Sequence, residues 1–305
     1  MAQDSSTGSG PTAALPSTKL DDLLASGAAG GAASVYALRQ CRHGPLLFNR
    51  RDMYIGRSLD AYGEYSEAEI VVLQQLLRPG AIIVEAGSNI GALTVPLARI
   101  AGEAGRVYAF EPQRLQFQIL CANLALNGLN NVFARQQGLG NAAGEMHVPV
   151  LLPDQPVNFG GVALKSDGQG EPVAIDTIDA LGLKRLSLVK ADVEGMEQAV
   201  LEGGRETIAR LRPALYVECD RRDRSAALIE LILSFGYRAF WHSPMFFNPE
   251  NFAGNRENVF GNTASGNLLA LPAERVGSID LPPVKGPDDW PGWLMPGGPP
   301  TPPGR

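Results

Sequence analysis

Short apolar runs alternate with amphipathic segments over residues 81–271, and this alternation restricts the chain to few folds. Strands are predicted over residues 81–85, 106–110, 132–136, 186–190, 214–218, 237–240 and 267–271. The first, second, fourth and fifth are continuous apolar runs, which is typical of strands covered by helices on both faces. Helices are predicted over residues 66–77, 91–101, 113–126, 195–211 and 224–235. The pattern indicates βαβ units, and therefore an α/β, Rossmann-like fold with a mostly parallel seven-stranded sheet and helices on both faces.

Changes in composition divide the chain into regions. Residues 1–17 are small and polar, so a flexible N-terminal segment is expected there, followed by an N-terminal extension over residues 18–62. The main domain is predicted over residues 63–272, with a partly β insertion beside the site at residues 139–185. Residues 273–305 form a Pro/Gly-rich tail, which is expected to be extended or disordered. Trp290 and Trp293 would dock this tail onto the domain or onto a second subunit, so a homodimer is one of the alternatives.

Charge and cysteine content exclude several classes of function. A formal net charge of −6 gives no general attraction to nucleic acid or to an anionic membrane. The cysteines, Cys41, Cys121 and Cys219, form no CxxC pair, which argues against a zinc knuckle and against a disulfide framework. No apolar run reaches the length of about 20 residues that a membrane-spanning helix needs, and the first residues lack the pattern of a secretory signal. A cytoplasmic protein is therefore expected.

The first predicted strand of the main domain runs into EAGSNIG, residues 85–91, where the next helix is predicted to begin. Gly87 permits a tight turn and close approach of a ligand, and Gly91 permits tight packing of the helix start. The loop lacks the GxGxxG pattern of dinucleotide sites, and Glu85 would repel a diphosphate. An acid at this position suits a cationic ligand, such as the ammonium group of a methionyl moiety.

A second acid, Glu111, follows the predicted strand at residues 106–110 and lies 24 residues after Gly87. In Rossmann-type sites an acid at the end of the second strand accepts hydrogen bonds from the two ribose hydroxyls. Pro112 suits the opening of the next helix. Taken together, Glu85 and Glu111 predict a cationic ligand that carries a ribose.

In this order, VEAGSNIGALTVPLA, VYAFEPQ and LVKADVEGMEQAVLEG resemble motifs of the FkbM-type methyltransferases, and the similarity covers residues 63–272. The resemblance implies a class I methyltransferase fold, S-adenosyl-L-methionine as cofactor, and O-methylation of a sugar, glycan or natural-product hydroxyl. It also implies the following cofactor-binding residues: Glu85, Ala86, Gly87, Ser88, Asn89, Gly91, Glu111, Pro112, Gln113, Gln137 and Gly138. One departure is that the family's first motif usually reads VDVGANIG. The longer Glu85 side chain puts in doubt how the methionyl end is held.

Methylation of a neutral hydroxyl requires removal of its proton, so a base or a metal is expected beside the acceptor. Asp192 and Glu194 follow the strand predicted at residues 186–190, and Glu218 and Asp220 follow the strand at residues 214–218. Their carboxylates would converge at the ligand face, where one acts as base or several bind Mg²⁺ or Ca²⁺. A divalent metal is an option here without being predicted. The alternative is that Asp192 caps the next helix and that Glu194 and Asp220 lie in water.

His242 is a further candidate base, because it follows a late predicted strand and lies among aromatic residues. Trp241, Phe246 and Phe247 would line an acceptor pocket, unless they belong to the core. A nearby loop is rich in polar side chains that suit a polyhydroxyl acceptor or simply favour turns. These are Asn248, Asn251, Asn255, Arg256, Asn258 and Asn262.

Three other functions remain open. The first is an N- or C-methyltransferase of the same fold, although the chain lacks the Asn/Asp-Pro-Pro-aromatic tetrad that would favour amino-group methylation. The second is an NAD-binding oxidoreductase, which the missing GxGxxG pattern and Glu85 disfavour. The third is a non-catalytic binding module that keeps the fold.

Overall fold

A seven-stranded sheet lies at the centre of the structure, a computed structural model that describes residues 35–292. The expectations for residues 1–34 and for Trp293 lie outside the described residues. The strands are β1 (Tyr36–Cys41), β2 (Gly44–Asn49), β3 (Ile82–Ala86), β4 (Arg106–Phe110), β5 (Val132–Arg135), β6 (Gly138–Leu139), β7 (Gly144–Val148), β8 (Glu171–Asp176), β9 (Leu188–Ala191), β10 (Ala214–Glu218), β11 (Tyr237–His242) and β12 (Asn267–Pro272).

The order of strands in the central sheet is β11-β12-β10-β9-β3-β4-β5. The five strands from β10 to β5 are mutually parallel, whereas β12 runs antiparallel to both β10 and β11. The predicted mostly parallel, seven-stranded sheet is therefore confirmed. The chain order reverses between β3 and β9, which is where open α/β sheets bind ligands at the carboxyl ends of their strands.

Helices cover both faces of this sheet, as the continuous apolar runs predicted. They are α1 (Ile55–Tyr62), α2 (Glu67–Leu76), α3 (Thr94–Ala101), α4 (Arg114–Leu126), α5 (Glu197–Glu202), α6 (Arg205–Leu211) and α7 (Arg222–Ser234). On β3, Ile83 packs in the core beneath α2, α3 and α4, whereas Ile82 and Val84 pack in the core beneath α5, α6 and α7. Successive side chains of a strand point to opposite faces, so both sets must be apolar.

The single helix expected over residues 195–211 is wrong, because two short helices occupy that range. The break lies at Gly203 and Gly204, between α5 and α6. A Cβ atom at Gly203 would lie 1.9 Å from the carbonyl oxygen of Gly140, so the backbones meet there without a side chain. Asp179 then accepts a 2.7 Å hydrogen bond from the amide of Thr207 in the first turn of α6.

The interruption of the alternation near residues 139–185 forms a small three-stranded sheet with the order β6-β8-β7, as the partly β prediction anticipated. Its long connection passes beside the N-terminal part of the chain. Met53 donates a 3.1 Å hydrogen bond to the carbonyl of Val157, and Asn49 donates a 2.8 Å bond to the carbonyl of Pro153. Two segments distant in sequence therefore meet at one end of the central sheet.

The N-terminal extension contains structure that the sequence analysis did not predict. The β1–β2 hairpin packs against α4, where Asn123 accepts a 2.7 Å hydrogen bond from the amide of Leu47 and donates a 3.0 Å bond to its carbonyl. These bonds, and the packing of Phe48 in the same core as Leu120, attach the hairpin to the domain.

The described part of the tail, residues 273–292, begins with a short 3₁₀ helix at Ala273–Arg275 and then runs along β11. The amide of Trp241 donates a 2.8 Å hydrogen bond to the carbonyl of Pro282, and the amide of Val284 donates to Ala239. Trp290 packs edge-on against Trp241, with ring centroids 5.9 Å apart. The expectation that Trp290 docks the tail onto the domain is consistent with these contacts. Among residues 35–292, no helix has the length and apolarity needed to cross a bilayer.

Candidate active site

A cavity of about 270 Å³ lies at the carboxyl ends of β3, β4, β9 and β10. Seven acidic side chains and one lysine line it within the described residues. The acids are Glu69, Glu85, Glu111, Asp192, Glu194, Glu218 and Asp220, and the lysine is Lys190. An excess of negative charge in a partly enclosed site attracts cations and repels phosphates and carboxylates.

Gly87 forms the tight turn that follows β3, with a φ of 81°. A Cβ atom at this position would lie 1.8 Å from the carbonyl oxygen of Asp192. The chain itself therefore occupies the Cβ side of Gly87, and the close approach of a ligand to this backbone stays a prediction. Gly91 has a φ of 86°, and a Cβ there would lie 2.7 Å from the Leu120 side chain, which agrees with the predicted tight packing. The helix α3 begins only at Thr94, three residues later than expected.

Glu85 is fully buried at the end of β3 and has one carboxylate oxygen without a protein partner. Its Oε2 atom accepts hydrogen bonds from the hydroxyls of Thr94 at 2.6 Å and of Ser88 at 3.1 Å. Its Oε1 atom has no hydrogen-bond partner within the described chain. Burial raises the pKa of Glu85, while the nearby Lys190 ammonium and the two hydroxyls lower it. A buried acceptor that lacks a partner is costly unless a ligand donates to it.

Glu111 follows β4 and accepts two backbone hydrogen bonds. The amide of Asn89 donates to its Oε2 atom at 2.7 Å, and the amide of Gln113 donates to its Oε1 atom at 2.8 Å. Because the carboxyl group is buried, its pKa rises to about 7 despite these bonds. Each carboxylate oxygen has a second lone pair, so Glu111 retains the capacity to accept hydrogen bonds from two hydroxyls.

The other residues expected at the cofactor lie in two groups. Lining the cavity are Ser88, Asn89, Pro112, Gln113 and Gly138, together with Gly87. Ala86, Gly91 and Gln137 are not among the lining residues that the structure describes. Ala86 and Gly91 are buried and shape the loop, and Gln137 lies just before β6 and is partly exposed.

Glu69 and Lys190 contribute to the site without having been predicted there. Glu69 lies in the first turn of α2, and its Oε1 atom accepts a 2.7 Å hydrogen bond from the hydroxyl of Ser66. Its side chain lines the cavity, where Lys190 also lies. A lysine inside an apolar strand was the available signal, because a charge at such a position is seldom buried unless it is paired.

Asp192, Glu194 and Glu218 converge as expected, with one oxygen from each lying within 4.8 Å of the others. Arg221 already forms an ion pair with Glu194, and Lys190 contacts Asp192 at 3.4 Å. Burial and the neighbouring Asp192 raise the pKa of Glu194 to about 7, and burial with the surrounding acids raises the pKa of Glu218 well above its ordinary range. The cluster suits proton transfer, and its oxygens are the type that Mg²⁺ or Ca²⁺ prefers.

His242 lies away from this cavity, so the structure does not bring it together with Asp192 and Glu218. It ends β11, where its Nδ1 atom lies 2.7 Å from the hydroxyl oxygen of Tyr216. Burial lowers the pKa of His242 to about 4. Its ring lines a separate cavity of about 840 Å³ between α2, β11 and the docked tail. His242 was predicted to lie beyond the sheet, whereas it is the last residue of β11, an edge strand of that sheet.

Aromatic side chains form one wall of the first cavity. Tyr54 and Tyr65 come from the N-terminal part of the chain, and Phe246 packs edge-on against both. Of the three aromatics expected at the acceptor, Phe246 alone lines this cavity in the described structure. Trp241 packs against Trp290, and Phe247 packs against Tyr62.

The polar loop after Phe247 has a structural role where its contacts are described. Asn248 donates to Glu64 at 2.8 Å, Asn251 donates to the carbonyl of Asn255, and Asn258 donates to the carbonyl of Gly261. The expectation that this loop binds hydroxyl groups of an acceptor therefore finds no support, because these amides bond to the Glu64 side chain and to the loop's own backbone.

Residues 85–239, just over half of the 305-residue chain, match the sequence profile of the Methyltransferase FkbM domain. The chain belongs to the FkbM methyltransferase family. The resemblance drawn from the three motifs is thereby confirmed, and the central sheet is that of a class I methyltransferase. The matched range begins at Glu85 and ends within β11, so it contains both strand-end acids and the acidic cluster.

Two curated proteins resemble this FkbM-family chain over part of its length. Methyltransferase 1 of Beauveria bassiana is 31% identical over 192 residues, which cover 55% of this chain and 76% of that protein. Methyltransferase sdnD of Sordaria araneosa is 32% identical over 154 residues, covering 40% of this chain and 59% of that protein. The chain thus matches less than two thirds of the second relative's length.

Among solved structures, the chain is similar to the methyltransferase FkbM from Methylobacillus flagellatus KT, with a TM-score of 0.43 and 18% identity. The similarity covers 67% of this chain and 50% of that one.

Proposed function

We propose that this FkbM-family protein uses S-adenosyl-L-methionine to methylate a hydroxyl oxygen of a sugar, glycan or natural product. The observation that carries the proposal is the pair of buried carboxylates, Glu85 and Glu111, at the ends of adjacent strands. Membership in the family supports a methyl donor, and the seven acids around the cavity favour one with a net positive charge.

The residues fit this cofactor at both of its ends. The unpartnered Glu85 Oε1 atom is a suitable acceptor for the methionyl ammonium. Glu111, held by the amides of Asn89 and Gln113, offers lone pairs to the ribose hydroxyls. Pro112 and Gly138 border the same part of the cavity and would lie along the adenine. When bound, the cofactor supplies an activated methyl group on a sulfonium.

The protein's own contribution is to orient the acceptor and to take its proton. Asp192 and Glu218 are the candidates for this step, because both line the cavity and one oxygen of each lies within 4.8 Å of the other. The raised pKa of Glu218 makes its ionised form a stronger base than an ordinary carboxylate. The aromatic wall formed by Tyr54, Tyr65 and Phe246 would hold the ring face of the acceptor.

The charge of the cavity limits the chemical classes of acceptor that it can bind. Lys190 is the single cation among the described lining residues and already faces acids, so a phosphorylated or carboxylated acceptor would lack a cationic partner, and a neutral hydroxyl compound is expected. A small molecule or a glycan fits this description better than a nucleic acid, whose phosphates would likewise lack a cationic partner.

Calorimetry and a release assay test the proposal in sequence. The protein should bind S-adenosyl-L-methionine and should not bind NAD; binding of NAD alone would contradict it. Release of S-adenosylhomocysteine should then be screened across sugars, glycosylated natural products, phenols and amines, each with and without Mg²⁺. Release with hydroxyl acceptors supports O-methylation, release with amines alone points to N-methylation, and binding without release from any acceptor indicates a non-catalytic module.

A further inference from the structure

Lys190 is a buried ammonium group at the floor of the cavity, and the proposed function leaves it without a role. It lies on β9, the middle strand of the central sheet, and only 2% of it is exposed. The strand register places it directly opposite Glu85 on β3 and opposite Tyr216 on β10. Because opposite residues of paired strands point to the same face, the Lys190 and Glu85 side chains lie side by side.

Carboxylates surround this ammonium group on several sides. Asp192 lies two residues further along the chain, with its Oδ2 atom 3.4 Å from Lys190 Nζ. Glu69 reaches the cavity from α2, and Glu218 reaches it from the end of β10. Burial by itself lowers the pKa of Lys190, yet these acids together with Glu85 raise it above its usual value. The side chain therefore keeps its proton throughout the range in which enzymes operate.

The ionisation of the Glu85 carboxyl group depends on the positive charge of Lys190. It is 0% exposed, and burial raises its pKa. The largest effect in the opposite direction comes from Lys190, ahead of the hydrogen bonds from Thr94 and Ser88. The charged groups facing it from other elements, Asp192 after β9 and Glu111 after β4, are both acidic and disfavour a further negative charge.

We propose that Lys190 is a positioning residue that keeps the Glu85 carboxylate ionised, so that its unpartnered oxygen can receive the ammonium end of the cofactor. The inference rests on the proposed function. It accounts for a lysine inside a strand that is otherwise apolar, because the lysine supplies the counter-charge of the cofactor-binding acid. A neutral residue at position 190 would leave Glu85 to take a proton from solvent.

The test compares binding of S-adenosylhomocysteine between pH 6.0 and pH 8.5 for the wild type and for Lys190→Met. This ligand carries the same ammonium group without the sulfonium. The wild-type profile is the reference, because Glu111, with a pKa of about 7, changes its own charge over this range in both proteins. Between pH 8.5 and pH 6.0 the affinity of Lys190→Met should fall at least about tenfold more than that of the wild type, because the unpaired Glu85 becomes protonated. Lys190→Arg should restore the wild-type profile, and Lys184→Met, at an exposed lysine outside the cavity, should leave it unchanged.

The double variant Glu69→Gln/Lys190→Met keeps the net charge of the cluster and serves where the single variant does not fold. It should show the same loss of affinity at low pH, with Glu69→Gln alone as its reference. A folded variant without Lys190 that retains the wild-type pH profile would overturn the inference and leave the proposed function standing. Failure of the wild type to bind S-adenosylhomocysteine at every pH would overturn both.

Discussion

The two ends of the cavity are held in different ways. At the cofactor end, Glu85 and Glu111 are fixed by hydrogen bonds from Ser88, Thr94, Asn89 and Gln113, all of which lie between residues 88 and 113. At the acceptor end, Glu69 and Glu218 come from separate elements, and they interact through charge with Lys190, which lies beside Glu85 between the two ends. A locally bonded loop keeps its geometry whatever its charge, whereas a charge cluster changes with pH and with ligand.

Gly87→Ala should have the largest effect, because Gly87 joins the two ends. The new Cβ atom would lie 1.8 Å from the Asp192 carbonyl oxygen at a φ of 81°. The free energy of unfolding should fall by roughly 2–5 kcal/mol, from the steric clash together with the left-handed strain. Urea denaturation measures it. Gly80→Ala is the matched control, since Gly80 has a φ of 88° with no atom within 4 Å of the added Cβ. An equal decrease in the free energy of unfolding of both variants would show that the contact with Asp192 does not contribute to stability.

Glu111→Ala tests the cofactor end alone. Loss of a charged acceptor for the ribose hydroxyls should weaken S-adenosyl-L-methionine binding by roughly 1–3 kcal/mol in a protein that still folds. Calorimetry at pH 8, above the pKa of about 7, gives the comparison with the ionised wild type. The control is Glu103→Ala, at an exposed acid outside the cavity. An unchanged affinity of the folded Glu111→Ala variant would contradict the proposal that Glu111 binds the ribose hydroxyls.

The variant Glu194→Gln tests the acceptor end through the pH dependence of the free energy of unfolding. The pKa of Glu194 rises from 4.5 in the unfolded chain to about 7 in the folded one. The folded state thus favours the protonated form, and the stability that Glu194 contributes below pH 4.5 is lost as the pH rises to 7. Relative to the wild type, Glu194→Gln should therefore be more stable at pH 8 than at pH 5. Denaturant unfolding at the two pH values measures the difference, and a pH-independent difference would exclude a raised pKa.

Phe246→Ala should have the smallest effect on cofactor binding. Phe246 lies in the aromatic wall with Tyr54 and Tyr65, at the acceptor end. If the aromatic wall acts on the acceptor alone, the affinity for S-adenosyl-L-methionine should stay within about twofold of the wild type. Calorimetry on the folded variant checks this. A larger change would mean that the aromatic wall also shapes the cofactor end.

The same division explains which parts of the site could be predicted. The loop at residues 85–91 and Glu111 could be predicted, because a strand, a turn glycine and an acid follow each other in the chain. Tyr54, Tyr65 and Glu69 lie before the first strand of the main domain, and no local pattern marks them as parts of a cavity. His242 was misplaced for a similar reason, because its environment depends on pairing with β12 and on packing against Tyr216.

The sequence by itself determined the sheet, because continuous apolar runs are stable only when both faces are covered. It also determined the loop at residues 85–91 for which cofactor binding is proposed. The tertiary structure decided the break between α5 and α6, the docking of the N-terminal hairpin and the tail, and the composition of the acceptor end. The tertiary structure also determined the surroundings of Lys190, which the sequence shows only as one charged residue in an apolar strand. Its role depends on the acids that neighbouring strands and α2 bring within range, and such distances arise only when distant segments pack together.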